Sequence, residues 1–131
     1  MKITIHEKEP AIRVNSIEEL DSVLFEAANE AKLGEKLNII YLEADNGNAI
    51  SIAVGGDETV LGFTYSHNNP PYYASRGISG DEEPVLTAYV YLEHHTEYPR
   101  RNVIPIALAI SAIHEFIESG ELPASIQWIE V

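Results

Sequence analysis

The chain of 131 residues contains no cysteine. Disulfides, a thiol nucleophile and thiolate metal ligands are therefore excluded, and the hydrophobic core has to hold the fold. We expect a cysteine-free protein of this kind to reside in the reducing cytoplasm. The sequence also lacks an apolar run of about 18 residues and an apolar signal segment after Met1, which predicts no membrane contact.

Basic residues are scarce. Eight Lys and Arg stand against 21 Asp and Glu, a formal net charge of −13. From residue 37 onward the bases are Arg76, Arg100 and Arg101. Such a surface repels nucleic acid and anionic lipid, whereas a local acidic face steers and selects a basic partner. The composition predicts a basic protein partner and no nucleic-acid ligand.

Hydrophobic residues make up 45% of the chain. Disorder requires low hydrophobicity together with high net charge, so the acidic residues are expected to decorate a folded body. A chain of this length suits one core. We therefore predict a single domain over residues 1–131.

A capping box predicts where the first helix begins. Ser16 is followed three residues later by Glu19, and each side chain of such a pair can satisfy an orphan backbone donor. Gly34 is placed to end the helix. The apolar stripe expected to face the core consists of Ile17, Leu20, Leu24, Ala27 and Ala31.

Alternating apolar and β-branched segments predict an antiparallel-dominated sheet. Asn46-Gly47 predicts a hairpin turn between the strands on either side of it. A second helix is expected to begin at Pro105 and end before Gly120, with residues 66–84 as a long surface loop. The apolar stripe expected on the second helix consists of Ile106, Ala109, Ile110, Ile113 and Ile117. The pattern predicts an α+β fold with about five to six strands and two helices packed on one face. The predicted strands cover residues 2–6, 37–43, 50–54, 59–65, 86–93 and 126–131.

The nearest approach to a catalytic motif lies on the second helix. His114 and Glu118 share one side with Glu115 close by, but a zinc peptidase of the HExxH type needs a second histidine where Glu118 stands. A solvated helix face explains all three residues, so we predict no enzyme, no catalytic residue, no metal and no cofactor. A small metal-dependent enzyme using this trio remains the alternative.

Tyrosines and acids on the loop and on the fifth predicted strand form the candidate partner-binding set. Tyrosine offers a large apolar area with one hydroxyl, and carboxylates pair with Arg or Lys of a partner. The alternative is that the strand tyrosines lie under the helices and the loop tyrosines pack back against the sheet. The predicted set is Tyr72, Tyr73, Asp81, Glu82, Glu83, Tyr89, Tyr91 and Glu93.

The order of several short motifs resembles the type-one immunity protein family of bacterial polymorphic toxin systems. The first 36 residues match this pattern only in kind, as a strand and a helix. The matching pieces are Leu42-Glu43, Gly55-Gly56-Asp57, residues 70–77 (PPYYASRG), residues 115–120 (EFIESG), Pro123 and residues 127–130 (QWIE).

The resemblance implies a small acidic cytoplasmic α+β protein that binds and silences a cognate toxin domain. Several members neutralise deaminase toxins that attack cytosine in DNA, so a basic zinc deaminase is the implied partner. The expected complex contains one copy of each protein, and the chain alone is expected to be a monomer or weak dimer. An acidic adaptor or ligand-binding module unrelated to toxins is a further alternative.

Overall fold

Two helices lie in the part of the chain that the computed structural model describes, namely residues 1–5, 9–78, 83–90 and 94–131. Helix α1 spans Ile17–Leu33 and helix α2 spans Ile106–Ser119. The predicted cap of α1 is confirmed, because the Glu19 N–H donates to Ser16 Oγ at 3.2 Å and the Asn15 N–H donates to Glu19 Oε2 at 3.1 Å.

The strands are short and numerous. Several of them were predicted, among them β3, β4 and β8, although the bounds differ by up to three residues. They are β1 Lys2–Thr4, β2 Ile12–Arg13, β3 Leu37–Glu43, β4 Ala49–Val54, β5 Glu58–Thr59, β6 Leu61–Thr64, β7 Tyr73–Ser75, β8 Pro84–Val90, β9 His94–Pro99, β10 Ile104–Pro105 and β11 Trp128–Glu130.

Nine of these strands form one sheet, in the order β11-β7-β6-β4-β3-β1-β2, with β8 beside β3 and β9 beside β8. Along the side that faces away from β4, strand β3 pairs with two different strands. Its first half pairs in parallel with β8, and its second half pairs antiparallel with β1. The described pairings are otherwise antiparallel, so the predicted α+β class is confirmed, with more strands than expected.

Both helices pack on one face of this sheet over the main core. Leu20 and Leu24 of α1 and Ile113 and Phe116 of α2 are buried against apolar residues of β3, β4 and β6. The aromatic ring of Phe116 meets Phe63 of β6 edge-on, with centroids 6.2 Å apart. Burying side chains of this size contributes roughly 1.5–3 kcal/mol each, so this layer is the main source of stability.

A glycine allows α1 to approach the end of β4. Gly55 has φ of +120°, and a Cβ atom there would lie 2.8 Å from Cβ of Ala31. Both the backbone conformation and the close contact require glycine. The end of α1 is thereby fixed beside the turn that leads from β4 to β5.

The opposite face of the sheet carries a smaller cluster. Ile39, Ala53 and Ala88 are buried there, with Tyr98 packed against them. Burial raises the pKa of Tyr98 to about 12, and the neighbouring Tyr41 adds to the rise. The Tyr98 hydroxyl therefore stays neutral throughout the physiological pH range.

Two sequence expectations need correction. The long loop predicted over residues 66–84 contains β7, which joins the sheet between β6 and β11. The core stripe of α2 includes Ala112 and Phe116, both fully buried, which the stripe based on Ile106, Ala109, Ile110, Ile113 and Ile117 left out. The predicted strand residues His6, Tyr91, Leu92 and Glu93 lie outside the described residues.

Candidate partner-binding surface

Tyr73 begins β7, the strand next to the edge strand β11, and Tyr72 precedes it; both residues are half-buried. The Tyr73 ring packs edge-on against Tyr65, with centroids 6.3 Å apart, and contacts the main core. The Tyr72 hydroxyl donates to the Asn68 carbonyl at 3.0 Å. Tyr73 thus packs back against the sheet, whereas Tyr72 is held by its own loop, and part of each half-buried side chain is left for a partner.

Tyr89 lies on β8, near the end of α1. The Lys36 ammonium stands 4.7 Å from the centroid of its ring, and the His95 ring lies 6.2 Å away. A cation over an aromatic face contributes about 0.5–1 kcal/mol at an exposed site. Tyr89 also lines a cavity of about 490 Å³ together with Lys32 and Gly55. We call this cavity the Tyr89 pocket.

The remaining predicted residues are described only in part. Glu83 is exposed, and its backbone carbonyl accepts a hydrogen bond from the Arg100 N–H at 3.1 Å. Asp81, Glu82, Tyr91 and Glu93 lie outside the described residues.

The described members of the predicted set form two groups. Strands β6, β4 and β3 separate β7, which carries Tyr73, from β8, which carries Tyr89. At about 4.8 Å between neighbouring strands, the two strands lie about 19 Å apart. A single small pocket cannot contain both groups, although a protein interface of ordinary size spans that distance.

Two members of the trio considered for metal chemistry bind other parts of the chain, and the third, Glu118, is exposed. His114 Nε2 lies 2.6 Å from Asp21 Oδ1 and so joins α2 to α1. Glu115 accepts the backbone N–H groups of Ala124 and Ser125 at 2.8 and 3.1 Å, and these bonds lower its pKa. Within the described residues, no three His, Asp or Glu side chains stand close enough to hold a metal ion.

The Trp128 side chain binds the same segment between α2 and β11 that Glu115 holds. Its indole N–H donates to the Pro123 carbonyl at 2.8 Å, and its ring lies 6.2 Å from Phe63. Trp128 thus anchors the last strand to the core.

The helical layer carries an acidic face that sequence reasoning did not single out. Helix α1 holds five acids and one lysine, and α2 holds two acids and neither Lys nor Arg. Phe25 and Leu33 of α1 are 67% and 88% exposed amid these charges. The sequence could have revealed this exposure, because Phe25 and Leu33 lie outside the apolar stripe that α1 buries.

Comparison with known protein families identifies the family of this chain. The family model of immunity protein Imm1 matches residues 8–130. The chain belongs to the Imm1 family. The resemblance noted for the chain from residue 37 onward is thereby confirmed, and the match extends back through α1 and β2 to residue 8. No curated protein matches the chain.

Membership in the Imm1 family makes this chain an immunity protein of toxin systems, with a cognate toxin as its partner. Among the described residues, neither helix is both long and apolar enough to cross a membrane. The exposed tyrosines, the acids and the helical layer are therefore candidate contacts for a protein.

Proposed function

We propose that this Imm1 protein neutralises a secreted antibacterial toxin domain, a nucleic-acid deaminase, by covering its basic active-site cleft. The observation that supports this mechanism is the acidic surface, with a net charge of −13 on an immunity-family fold. A deaminase has to admit a polyanionic strand into a basic, zinc-containing cleft. An acidic protein seated there competes with the strand both sterically and electrostatically.

The immunity protein contributes shape and charge in this mechanism, and no reactive atom. Its proposed contacts are those predicted from sequence: Tyr72, Tyr73, Asp81, Glu82, Glu83, Tyr89, Tyr91 and Glu93. Tyrosine rings supply apolar area, and the carboxylates meet Arg and Lys side chains that would otherwise hold phosphates. The protein acts in the cytoplasm of the cell that makes the toxin, as a one-to-one complex.

Titration of the toxin tests this function directly. The C-terminal domain of the toxin encoded beside this protein is assayed for deamination of single-stranded DNA while the immunity protein is added. We expect activity to fall linearly and to vanish near a one-to-one ratio. A matched co-expression experiment in cells should restore growth. Full toxicity and full activity at a molar excess would refute the proposal.

The contact residues are tested separately from the function. Replacing Asp81, Glu82 and Glu83 by lysine should slow association about tenfold and weaken its salt dependence, because charge reversal at an interface acts mainly on the encounter rate. The matched control reverses three exposed acids outside the loop and the helices, Glu9, Glu43 and Glu121. An unchanged association rate in the loop variant would place this loop outside the contact.

A further inference from the structure

A groove runs between the two helices. Leu24, Phe25 and Ala28 of α1 form one wall, and Ile106 and Ile110 of α2 form the other. The end of β4 and the Gly55–Gly56 turn form its floor. The groove encloses about 320 Å³, enough for one or two side chains of a partner. We call it the interhelical groove.

Packing of the core does not account for the Phe25 side chain in this groove. The stripe that α1 packs against the sheet contains Leu20, Leu24, Ala27 and Ala31, all buried, whereas Phe25 is 67% exposed. A large aromatic side chain beside an open apolar groove is typical of an interface anchor. Removing water from its ring would stabilise a complex without changing the core.

Charge selects the occupant of the groove. Asp21 and Asp57 line it, and the helices around it carry seven acids against the single base Lys32. A second copy of this chain would bring the same acids face to face with these, and nucleic acid would be repelled as well. The complementary occupant is a protein segment that carries Lys or Arg beside an apolar side chain.

The groove is continuous with the Tyr89 pocket. Lys32 and Gly55 line both cavities, so the surface runs without interruption from Phe25 past the end of α1 to Tyr89. One partner can therefore contact Phe25 and Tyr89 together, whereas the tyrosines at β7 lie on the other side of β6, β4 and β3.

We propose that the interhelical groove is the main docking site for the cognate toxin and receives a basic segment whose apolar side chain packs against Phe25. This inference rests on the proposed function, since it specifies which surface of the immunity protein the toxin contacts. The segment binds in the manner of an anchor in a groove, with its Lys or Arg side chains directed to Asp57 and the neighbouring acids.

Two pairs of matched variants test the groove. Phe25→Ala removes the proposed anchor, and Leu33→Ala removes an even more exposed apolar side chain from the same helix. Asp57→Lys reverses a groove charge, and Glu43→Lys makes the same charge change on an exposed residue of β3. Calorimetry with the toxin domain gives the dissociation constant of each variant, and thermal unfolding checks that each is folded.

We expect Phe25→Ala and Asp57→Lys each to raise the dissociation constant about tenfold or more, while the two controls stay within about twofold. Groove variants that bind as tightly as the unaltered protein would overturn the inference and leave the proposed function intact. Equal weakening by groove and control variants would also overturn it. If the unaltered protein neither binds nor protects, the proposed function fails first.

Discussion

Glu115 shows how a residue that suggests chemistry in the sequence can serve the fold instead. Its two carboxylate oxygens accept the N–H groups of Ala124 and Ser125, which hold the segment between α2 and β11. Next to this segment, Trp128 binds the Pro123 carbonyl. The Glu115 carboxylate thus serves as a hydrogen-bond acceptor that fixes the segment before the last strand.

The hydrogen bonds to the Glu115 carboxylate predict an acid-sensitive contribution to stability. Hydrogen bonds from Ala124 and Ser125 lower the pKa of Glu115 below its ordinary value of 4.5, so the folded state favours the carboxylate. This contribution is complete above the ordinary pKa and is lost as the pH falls through the lowered value. Glu115→Gln should lower the melting temperature by a few degrees at pH 7 and by much less near pH 3.

Melting curves of the two proteins between pH 7 and pH 3 measure this difference. Glu118→Gln serves as the control, because Glu118 is exposed on the same helix. A deficit for Glu115→Gln that stays constant across the whole pH range would contradict the assigned role of the carboxylate.

Asn48 is a buried polar residue that ties two chain segments together. Its amide donates to the Gly120 carbonyl at 2.8 Å, and its oxygen accepts the Ser66 N–H at 3.0 Å. Asn48→Ala leaves these backbone groups unpaired, which costs about 2–3 kcal/mol of unfolding free energy. Urea denaturation measures the loss, and Asn29→Ala, at an exposed site, should change it by less than about 0.5 kcal/mol. Equal effects of the two would disprove the assignment.

At the scale of elements, α1 combines a strong start with two faces of opposite character. Ser16 caps the first turn, and Glu18 and Glu19 place negative charge near the positive end of the helix dipole. The buried stripe fixes the helix on the sheet. The remaining positions present acids and Phe25 to a partner, so the same helix supports the core and the candidate interface.

Removal of the cap tests how much α1 depends on its first turn. Ser16→Ala should lower the free energy of unfolding by about 1 kcal/mol, since the Glu19 N–H loses its acceptor. Ser22→Ala, in the middle of the same helix, should be neutral or slightly stabilising because alanine is the better helix former. Chemical denaturation of both variants decides the point, and a neutral Ser16→Ala would show that the hydroxyl does not cap the helix.

At the scale of the whole molecule, the charge is negative and the helical layer contributes a large share of it. The two helices carry seven of the 21 acids and one of the eight bases, and Arg13 at the far edge of the sheet is paired with Asp45 at 3.5 Å. A negative field attracts an approaching basic partner before contact. Association that depends on such attraction is sensitive to salt, since the range of the field is about 8 Å at physiological ionic strength.

Salt dependence provides the corresponding prediction. Stopped-flow measurement with the toxin domain should show an association rate that falls about tenfold or more between 50 and 300 mM NaCl, with little change in dissociation. The same titration with Glu18, Glu19 and Glu26 replaced by lysine should give a flatter curve. An association rate indifferent to salt would mean that the acidic layer does not guide the encounter.

Local patterns in the sequence were sufficient for much of the fold. The capping box, the apolar stripe of α1, the Asn46-Gly47 hairpin and the alternation in β8 depend on neighbours within a few residues, and the structure contains each of them. The short strands β2, β5, β7, β9 and β10 were missed, because segments of two to six residues owe their extended form to distant partners.

The acidity, the absence of cysteine and the family pattern were properties of the sequence by itself, because each depends on composition and order alone. Tertiary structure decided where the acids and aromatics meet. Phe25 and Ile110 lie far apart along the chain and line one groove because α1 and α2 pack over the same face of the sheet. Lys32 and Tyr89 line one cavity because the end of α1 lies beside β8. A contact between distant segments arises from packing, which no local pattern encodes.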